Sequence, residues 1–201
     1  MEQVKKMDDK EKSFLGTLHY IGTEVSAGIG FQRAYLADET FEKSTPGGIK
    51  TYTRQVARHK TTNELHASSY PDNHSTLFYF RYTNDGEYAI YSRDPAFHFG
   101  KHLCINNGDI SASDSPTEIS SFAFKQNGQR IQIHEKPEPE ILAELVCKDG
   151  GIEFYNKEFL FSRQAGITAQ VVSKGGGGPL GNIKLKVIER NVDWLSKSEN
   201  S

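Results

Sequence analysis

The sequence predicts an all-β domain made of short antiparallel strands. Three observations support this prediction: stretches in which apolar and polar residues alternate, Gly-containing turn sequences between them, and little helical patterning. No stretch keeps apolar residues at i, i+3, i+4 and i+7 over three turns, and Gly or Pro interrupts the chain about every ten residues. The best candidates for helix are two short segments, residues 138–143 and 192–195.

Four β-hairpins are predicted between residues 77 and 155. In each, two strand-like stretches flank an Asn-Gly or Asp-Gly pair, which supplies the positive φ angles of a tight turn. The clearest is the first, where Phe78, Phe80 and Tyr82 share one face before the turn. The four turns are expected at Asn84-Asp85-Gly86, Asn107-Gly108, Asn127-Gly128 and Asp149-Gly150.

The chain before these hairpins is also predicted to form strands. Residues 18–21, 31–36 and 48–53 are rich in the β-branched and aromatic residues that strands favour. Residues 13–195 are therefore expected to form a single β domain. The polar ends, residues 1–12 and 196–201, are expected to be flexible.

Composition excludes several classes of function. The 24 basic and 26 acidic side chains give a formal net charge of -2, and phosphate binding needs a basic surface, so no nucleic acid is expected as a partner. No apolar run is long enough for a transmembrane segment. The charged N-terminus lacks the apolar stretch of a secretory signal, which predicts a cytoplasmic protein.

The residues that could carry chemistry do not form a known motif. Cys104 and Cys147 lie in apolar segments and are expected to be buried free thiols. His98 and His102 are four residues apart, which in a strand separates their Cβ atoms by about 13 Å, too far for one metal ion. The glycine-rich residues 173–182 lack the order of a phosphate-binding loop. No catalytic residue, cofactor or metal site is therefore predicted.

An internal repeat of about 40 residues runs through the hairpins. A Phe-x-Phe pair begins each unit, at Phe78, Phe122 and Phe159, and a leucine follows in the first two units, at Leu103 and Leu145. The first two Phe pairs are 44 residues apart, and the leucines are 42 residues apart. Such a period is typical of folds built from repeated four-stranded units.

This unit resembles the repeat of the β-trefoil superfamily, which includes ricin-type lectins, fascin-like modules, mushroom lectins and some protease inhibitors. The resemblance covers residues 77–155 with two units and residues 159–187 with a third, and it leaves residues 14–75 outside. It implies a six-stranded barrel capped by three hairpins. A β-sandwich or an up-and-down barrel would accommodate the extra strands, so both remain alternative fold classes.

The favoured function is a non-catalytic recognition module that binds a glycan or a protein surface through its hairpin loops. An aromatic ring beside hydrogen-bonding side chains, as at Tyr79 and Arg81, is typical of sugar sites if it is exposed. The resemblance implies sugar binding by hairpin loops, or protease inhibition by a projecting loop. The candidate ligand-binding residues lie at or near the turns and are Asp85, Tyr91, Asp109, Asn127 and Asp149.

The main alternative is an enzyme or toxin domain with its site in residues 30–75. That segment holds polar groups suited to catalysis at uneven spacing, namely Arg33, Tyr52, Arg54, Arg58, His59 and His66. A cleft lined by these groups would favour an enzyme, whereas shallow aromatic depressions on an open surface would favour recognition.

Overall fold

A computed structural model describes residues 9–21, 26–69, 75–148, 150–161, 164–173 and 182–193. The prediction of an all-β antiparallel fold is confirmed, because nearly every element in this part of the chain is a strand paired antiparallel to its neighbours. The elements are helix α1 (Asp9–Lys12), strands β1 (Phe14–Ile21), β2 (Ser26–Thr45), β3 (Gly48–Ser68), β4 (Phe78–Tyr82), β5 (Glu87–Ser92), β6 (His102–Asn106), β7 (Asp109–Ser113), β8 (Ser121–Gln126) and β9 (Gln129–Ile131), a 3-10 turn (Ile133–Glu135), and strands β10 (Glu140–Cys147), β11 (Gly150–Phe161), β12 (Gln164–Ser173) and β13 (Asn182–Arg190).

The four predicted hairpins are confirmed. They are formed by β4 with β5, β6 with β7, β8 with β9, and β10 with β11. Asp85, Asn107 and Asn127 have positive φ angles, as the turn sequences require. Asp149 lies outside the described residues.

The predicted helical segment at residues 138–143 is wrong, because β10 occupies most of it. Ile141, Ala143 and Leu145 are buried and alternate with exposed residues, which is the period of a half-buried strand. Glu, Leu and Ala favour helix on their own, but here the burial pattern decides the structure. Val192, at the start of the second predicted helical segment, is not helical, and residues 194–195 lie outside the described part of the chain.

Six strands pair in a closed cycle. Starting from β1, the order is β1, β4, β5, β8, β10, β13 and back to β1, and every contact is antiparallel. A two-stranded hairpin leaves the cycle between β1 and β4, another between β5 and β8, and a third between β10 and β13. The same order of elements, a cycle strand, a hairpin and a second cycle strand, therefore occurs three times along the chain.

Each cycle strand contributes a buried side chain to one core. In each repeat the two cycle strands that flank the hairpin place these side chains directly opposite each other: Phe14 and Phe80, Tyr88 and Phe122, and Ile141 and Leu185. The Phe14 and Phe80 rings are stacked with centroids 4.5 Å apart. Burial of these large apolar groups is the main source of stability in such a core.

The three hairpins that leave the cycle also pair with one another. Glu64 of β3 pairs with Ser111 of β7, Asp109 of β7 pairs with Val172 of β12, and β12 pairs with the last residues of β3. The hairpins therefore form a triangle of strand contacts, to which β3, β7 and β12 each contribute.

The predicted repeat had the wrong phase. Phe78 and Phe122 lie at the start of β4 and β8, which occupy equivalent places in the cycle, but Phe159 lies in β11, a strand of a hairpin. The strand equivalent to β4 and β8 is β13, and Ile183 and Leu185 supply its buried residues. Residues 14–75, which the sequence repeat left outside, supply the first cycle strand and the first hairpin.

No helix in the described part of the chain has both the length and the hydropathy needed to cross a bilayer.

We predict that Gly16→Ala destabilises the fold. A Cβ at Gly16 would lie 2.8 Å from the backbone oxygen of Lys186, where β1 and β13 close the cycle, and backbone atoms cannot move aside cheaply. We expect the free energy of unfolding to fall by about 1–3 kcal/mol, measured by urea denaturation. The control is Gly47→Ala, because a Cβ at Gly47 meets no atom within 4 Å. Equal urea midpoints for wild type and Gly16→Ala would contradict this account of the β1–β13 contact.

Candidate functional site

The largest departure from the repeated pattern is an arm formed by residues 32–61 of β2 and β3. Fourteen consecutive cross-strand pairs run from Gln32 with Thr61 to Thr45 with Gly48. At about 3.3 Å per residue the arm is roughly 45 Å long. Within the described residues, neither strand pairs with a third strand along this length, so the arm is a free two-stranded ribbon.

A bulge marks the base of the arm. Gly30 pairs with His66 and Gln32 pairs with Thr61, so Phe31 stands opposite four residues of β3. Such a bulge bends the strand and aims the segment beyond it. Phe31 is fully buried, and the ring of His98 packs edge-on against it with centroids 4.7 Å apart.

His98 also holds the bulge through a hydrogen bond. Its Nε2 donates to the backbone oxygen of Thr62 at 2.7 Å, which assigns the ring proton to that nitrogen. The hydroxyl of Thr62 donates to the backbone oxygen of Glu64 at 2.9 Å. The bulge is therefore tied to the body of the protein.

Strand pairing places the cations of the arm on one face. Residues that pair across an antiparallel ribbon project to the same side, and the side alternates along each strand. All six basic residues of the arm fall on one side, which we call the cationic face: Arg33, Lys43, Lys50, Arg54, Arg58 and Lys60. The same face carries one carboxylate, Glu39.

Glu39 neutralises the middle of the cationic face only in part. Its carboxylate accepts hydrogen bonds from Nε and Nη2 of Arg54 at 2.8 and 2.6 Å, and Nη2 of Arg58 lies 3.6 Å away. Among the described residues, no carboxylate lies within 4.0 Å of the cationic groups of Arg33, Lys43, Lys50 or Lys60. Most of the positive charge therefore faces solvent.

Two exposed aromatic rings stand among these cations. Phe41 and Tyr52 pair across the arm, with ring centroids 5.8 Å apart and planes 24° apart. Both remain about 40% exposed. The guanidinium of Arg54 lies 5.2 Å from the centre of the Phe41 ring, within the range of a cation–π contact.

The opposite face of the arm is acidic and polar. It carries Asp38 and Glu42, no lysine or arginine, and many hydroxyl side chains. With six basic and three acidic side chains, the arm has a net charge of +3 when His59 is neutral. The whole chain carries -2, so the remaining residues carry -5.

The predicted ligand-binding residues do not gather in one place. Asp85 and Asn127 are exposed at the β4–β5 and β8–β9 turns, and the backbone oxygen of Asp85 accepts a hydrogen bond from Arg130 at 3.1 Å. Asp109 lies where β7 meets β12 in the triangle of hairpins. Tyr91 lies on β5, half-buried against a small apolar cluster. Asp149 lies outside the described residues. These residues remain predictions.

The sugar-stacking arrangement expected around Tyr79 is not available. Tyr79 is buried against Leu15 and Val192, and its ring lies 6.2 Å from that of Tyr91. Both faces of this part of the sheet are covered by packing, so Tyr79 cannot offer its ring to a ligand.

Two cavities border β8 and β10. The larger, about 770 Å³, has a mixed lining in which apolar residues such as Ile119 and Val146 stand beside the charged residues Glu87, Arg130 and Lys148. The smaller, about 400 Å³, includes Asn127 in its wall. Lys125 borders both. In the larger cavity Arg130 lies 3.3 Å from Glu87, so these two opposite charges meet each other.

The polar groups proposed for an enzyme in residues 30–75 are spread apart. Arg33, Arg54 and Arg58 lie along one face of the arm, whereas His59 lies on the other face and His66 is buried at the base. A ribbon of this length places such groups in a row, and a row does not form the convergent cleft that catalysis needs. In the described part of the chain, no three His, Cys, Asp or Glu side chains come together as possible metal ligands.

Both cysteines are buried and free, as predicted.

Comparison of the chain with protein-family models, with curated proteins and with solved structures found no match in any of the three.

Sequence reasoning missed most of the arm. Phe41, Lys43, Lys50 and Lys60 were not among the predicted site residues, although the signal was present. Residues 46–48 read Pro-Gly-Gly, a turn sequence between two stretches rich in β-branched and aromatic residues. Pairing the two stretches outward from that turn would have revealed the cationic face.

We predict that stability falls as pH decreases below about 6.5, in part through His102. Burial lowers the pKa of His102, while Glu118 and Asp114 oppose this more weakly. The folded protein keeps the ring neutral where the unfolded chain binds a proton, so unfolding takes up protons and acid favours it. We expect His102→Gln to lose less unfolding free energy between pH 7.5 and 5.5 than wild type, measured by urea titration.

His59→Gln serves as the matched control for this pH experiment, because His59 is exposed on the arm. It should keep the pH dependence of wild type. If His102→Gln also kept that dependence, the ring of His102 would not be the source of the proton uptake.

Proposed function

We propose that this chain is a non-catalytic recognition module of β-trefoil architecture, and that its ligand is a polyanion bound by the cationic face of the arm. The observation that carries the proposal is the placement of all six arm cations on one face of a ribbon that no other strand covers in the described part of the chain.

The strand pairings support the trefoil. A cycle of six strands, three hairpins that leave it at equivalent points and pair with one another, and three pairs of opposed core residues match what the sequence resemblance implies. With the corrected phase, the repeats cover residues 14–82, 87–126 and 140–190. Of strands β1 to β13, only β9 then lies outside the three units, and together with the 3-10 turn it belongs to an insertion between the second and third.

Charge supports the polyanion. A surface row of cations attracts an extended anion more strongly than scattered charges do, because the potentials of neighbouring groups add. The remaining residues carry a net charge of the opposite sign, which favours contact with a polyanion through the arm. Alternation of charge across the ribbon also fixes which side of the arm meets the ligand.

The other functions predicted from the sequence find less support. A glycan or protein ligand at the hairpin turns would have to use Asp85, Asp109 and Asn127, which lie on separate elements with separate partners. An inhibitor-like loop would be the tip of the arm, but there Pro46 and Gly47 form a tight two-residue turn rather than an extended segment.

We predict that the protein binds heparin at low salt and that Lys43→Gln/Lys50→Gln weakens this binding on the order of tenfold at 50 mM salt, because two charges that face the ligand are removed. The measurement is the elution position on a heparin column together with titration of soluble heparin. The matched control is Lys148→Gln/Lys186→Gln, which removes the same charge from exposed positions on the body.

The control should elute with wild type. Equal losses in the two double variants would show that net charge alone governs retention, and this would refute the arm as the binding site. A loss in the control alone would move the site to the body, where Lys148 lines the larger cavity.

A further inference from the structure

We infer that the polyanion is a single-stranded nucleic acid whose phosphates lie along the cationic face and whose bases stack on Phe41 and Tyr52. This inference rests on the proposed function and names its ligand. The net charge of -2 on the whole chain predicts no nucleic-acid partner. Strand pairing nevertheless brings six cations together on one face of the arm, and the overall composition does not reveal this local charge.

The cations are placed to follow an extended phosphate chain. Arg33 pairs with Lys60 near the base of the arm, and Lys43 pairs with Lys50 near its tip. These two pairs are ten residues apart along β2, which is about 33 Å in a strand. The cationic face is therefore a linear track, as non-specific binders of single strands require.

The aromatic rings distinguish a nucleic acid from other polyanions. Phe41 and Tyr52 stand between the cation pairs, exposed on the same face. Aromatic side chains beside a cationic track are what unpaired bases stack on, and every base offers such a surface. In a duplex the faces of the bases are covered by their neighbours, so the rings favour a single strand.

A membrane surface fits the arm less well. The tip carries one large apolar side chain, Ile49, on the face opposite the cations, and the rings of Phe41 and Tyr52 lie farther down the ribbon. The opposite face carries Asp38 and Glu42, which anionic lipids would repel. The arm therefore offers an anionic bilayer a single apolar side chain at its tip and an acidic back face.

Affinity for a fluorescein-labelled 20-nucleotide oligothymidine, measured by anisotropy over a salt series, tests the inference on the full chain. With about four phosphates neutralised, the slope of log K against log salt should be about -3. Phe41→Ala and Tyr52→Ala should each weaken binding roughly tenfold and leave the slope unchanged, because stacking does not release counterions. Ile49→Ala is the matched control: Ile49 is 72% exposed on the opposite face and should have no effect.

A second pair of variants tests which face binds. Glu39→Gln and Glu42→Gln make the same chemical change and give the same net charge, but Glu39 lies on the cationic face and Glu42 lies on the other. Glu39→Gln releases Arg54 and Arg58, so it should tighten oligonucleotide binding several-fold and steepen the salt slope. Glu42→Gln should stay close to wild type.

The outcomes separate the two proposals. Loss of oligonucleotide binding but not heparin binding in Phe41→Ala and Tyr52→Ala supports the inference. If these variants bind the oligonucleotide like wild type, or if a duplex of equal length or phosphatidylserine vesicles bind more tightly than the single strand, the inference fails while the polyanion site on the arm survives. If wild type binds neither heparin nor oligonucleotide at low salt, both proposals fail.

Discussion

The chemistry of the arm depends on the register between β2 and β3. Because side chains alternate across a ribbon, a slip of one residue would move every cation of β3 to the opposite face. The register is set at both ends: Pro46 and Gly47 form the tip turn, and the bulge beside Phe31 fixes the base. His98 secures that base from the body through its hydrogen bond to Thr62.

The base in turn depends on the closed cycle of six strands. A two-stranded ribbon on its own is marginally stable in water, so the arm needs a rigid support. Phe31 and Leu65 anchor it in the core, and β3 pairs with β7 and β12 where it returns to the body. Stability therefore comes from the body, which leaves the exposed part of the arm free to carry side chains suited to a ligand rather than to packing.

Local features of the fold could be predicted from the sequence, and long-range features could not. The four hairpins followed from Asn-Gly and Asp-Gly turns, whose backbone preference is local. The contact of β1 with β13 joins strands far apart in the sequence, and no pattern of neighbouring residues indicates that these two strands pair. The phase of the repeat was wrong because Phe159 matched Phe78 in residue type but not in its place in the cycle.

The arm was missed because both of its faces are exposed, so no alternation of apolar and polar residues marks it, and its six cations are hidden in a chain of net charge -2.

The register of the arm can be measured directly by nuclear Overhauser effects in the isotopically labelled full chain. The account predicts contacts between the rings of Phe41 and Tyr52 and between the backbones of Lys43 and Lys50. Contacts of Phe41 with Thr51 or Thr53 in place of Tyr52 would show a slipped register. In that case four cations would lie on one face and two on the other, and the arm would lack the six-cation face on which the polyanion proposal rests.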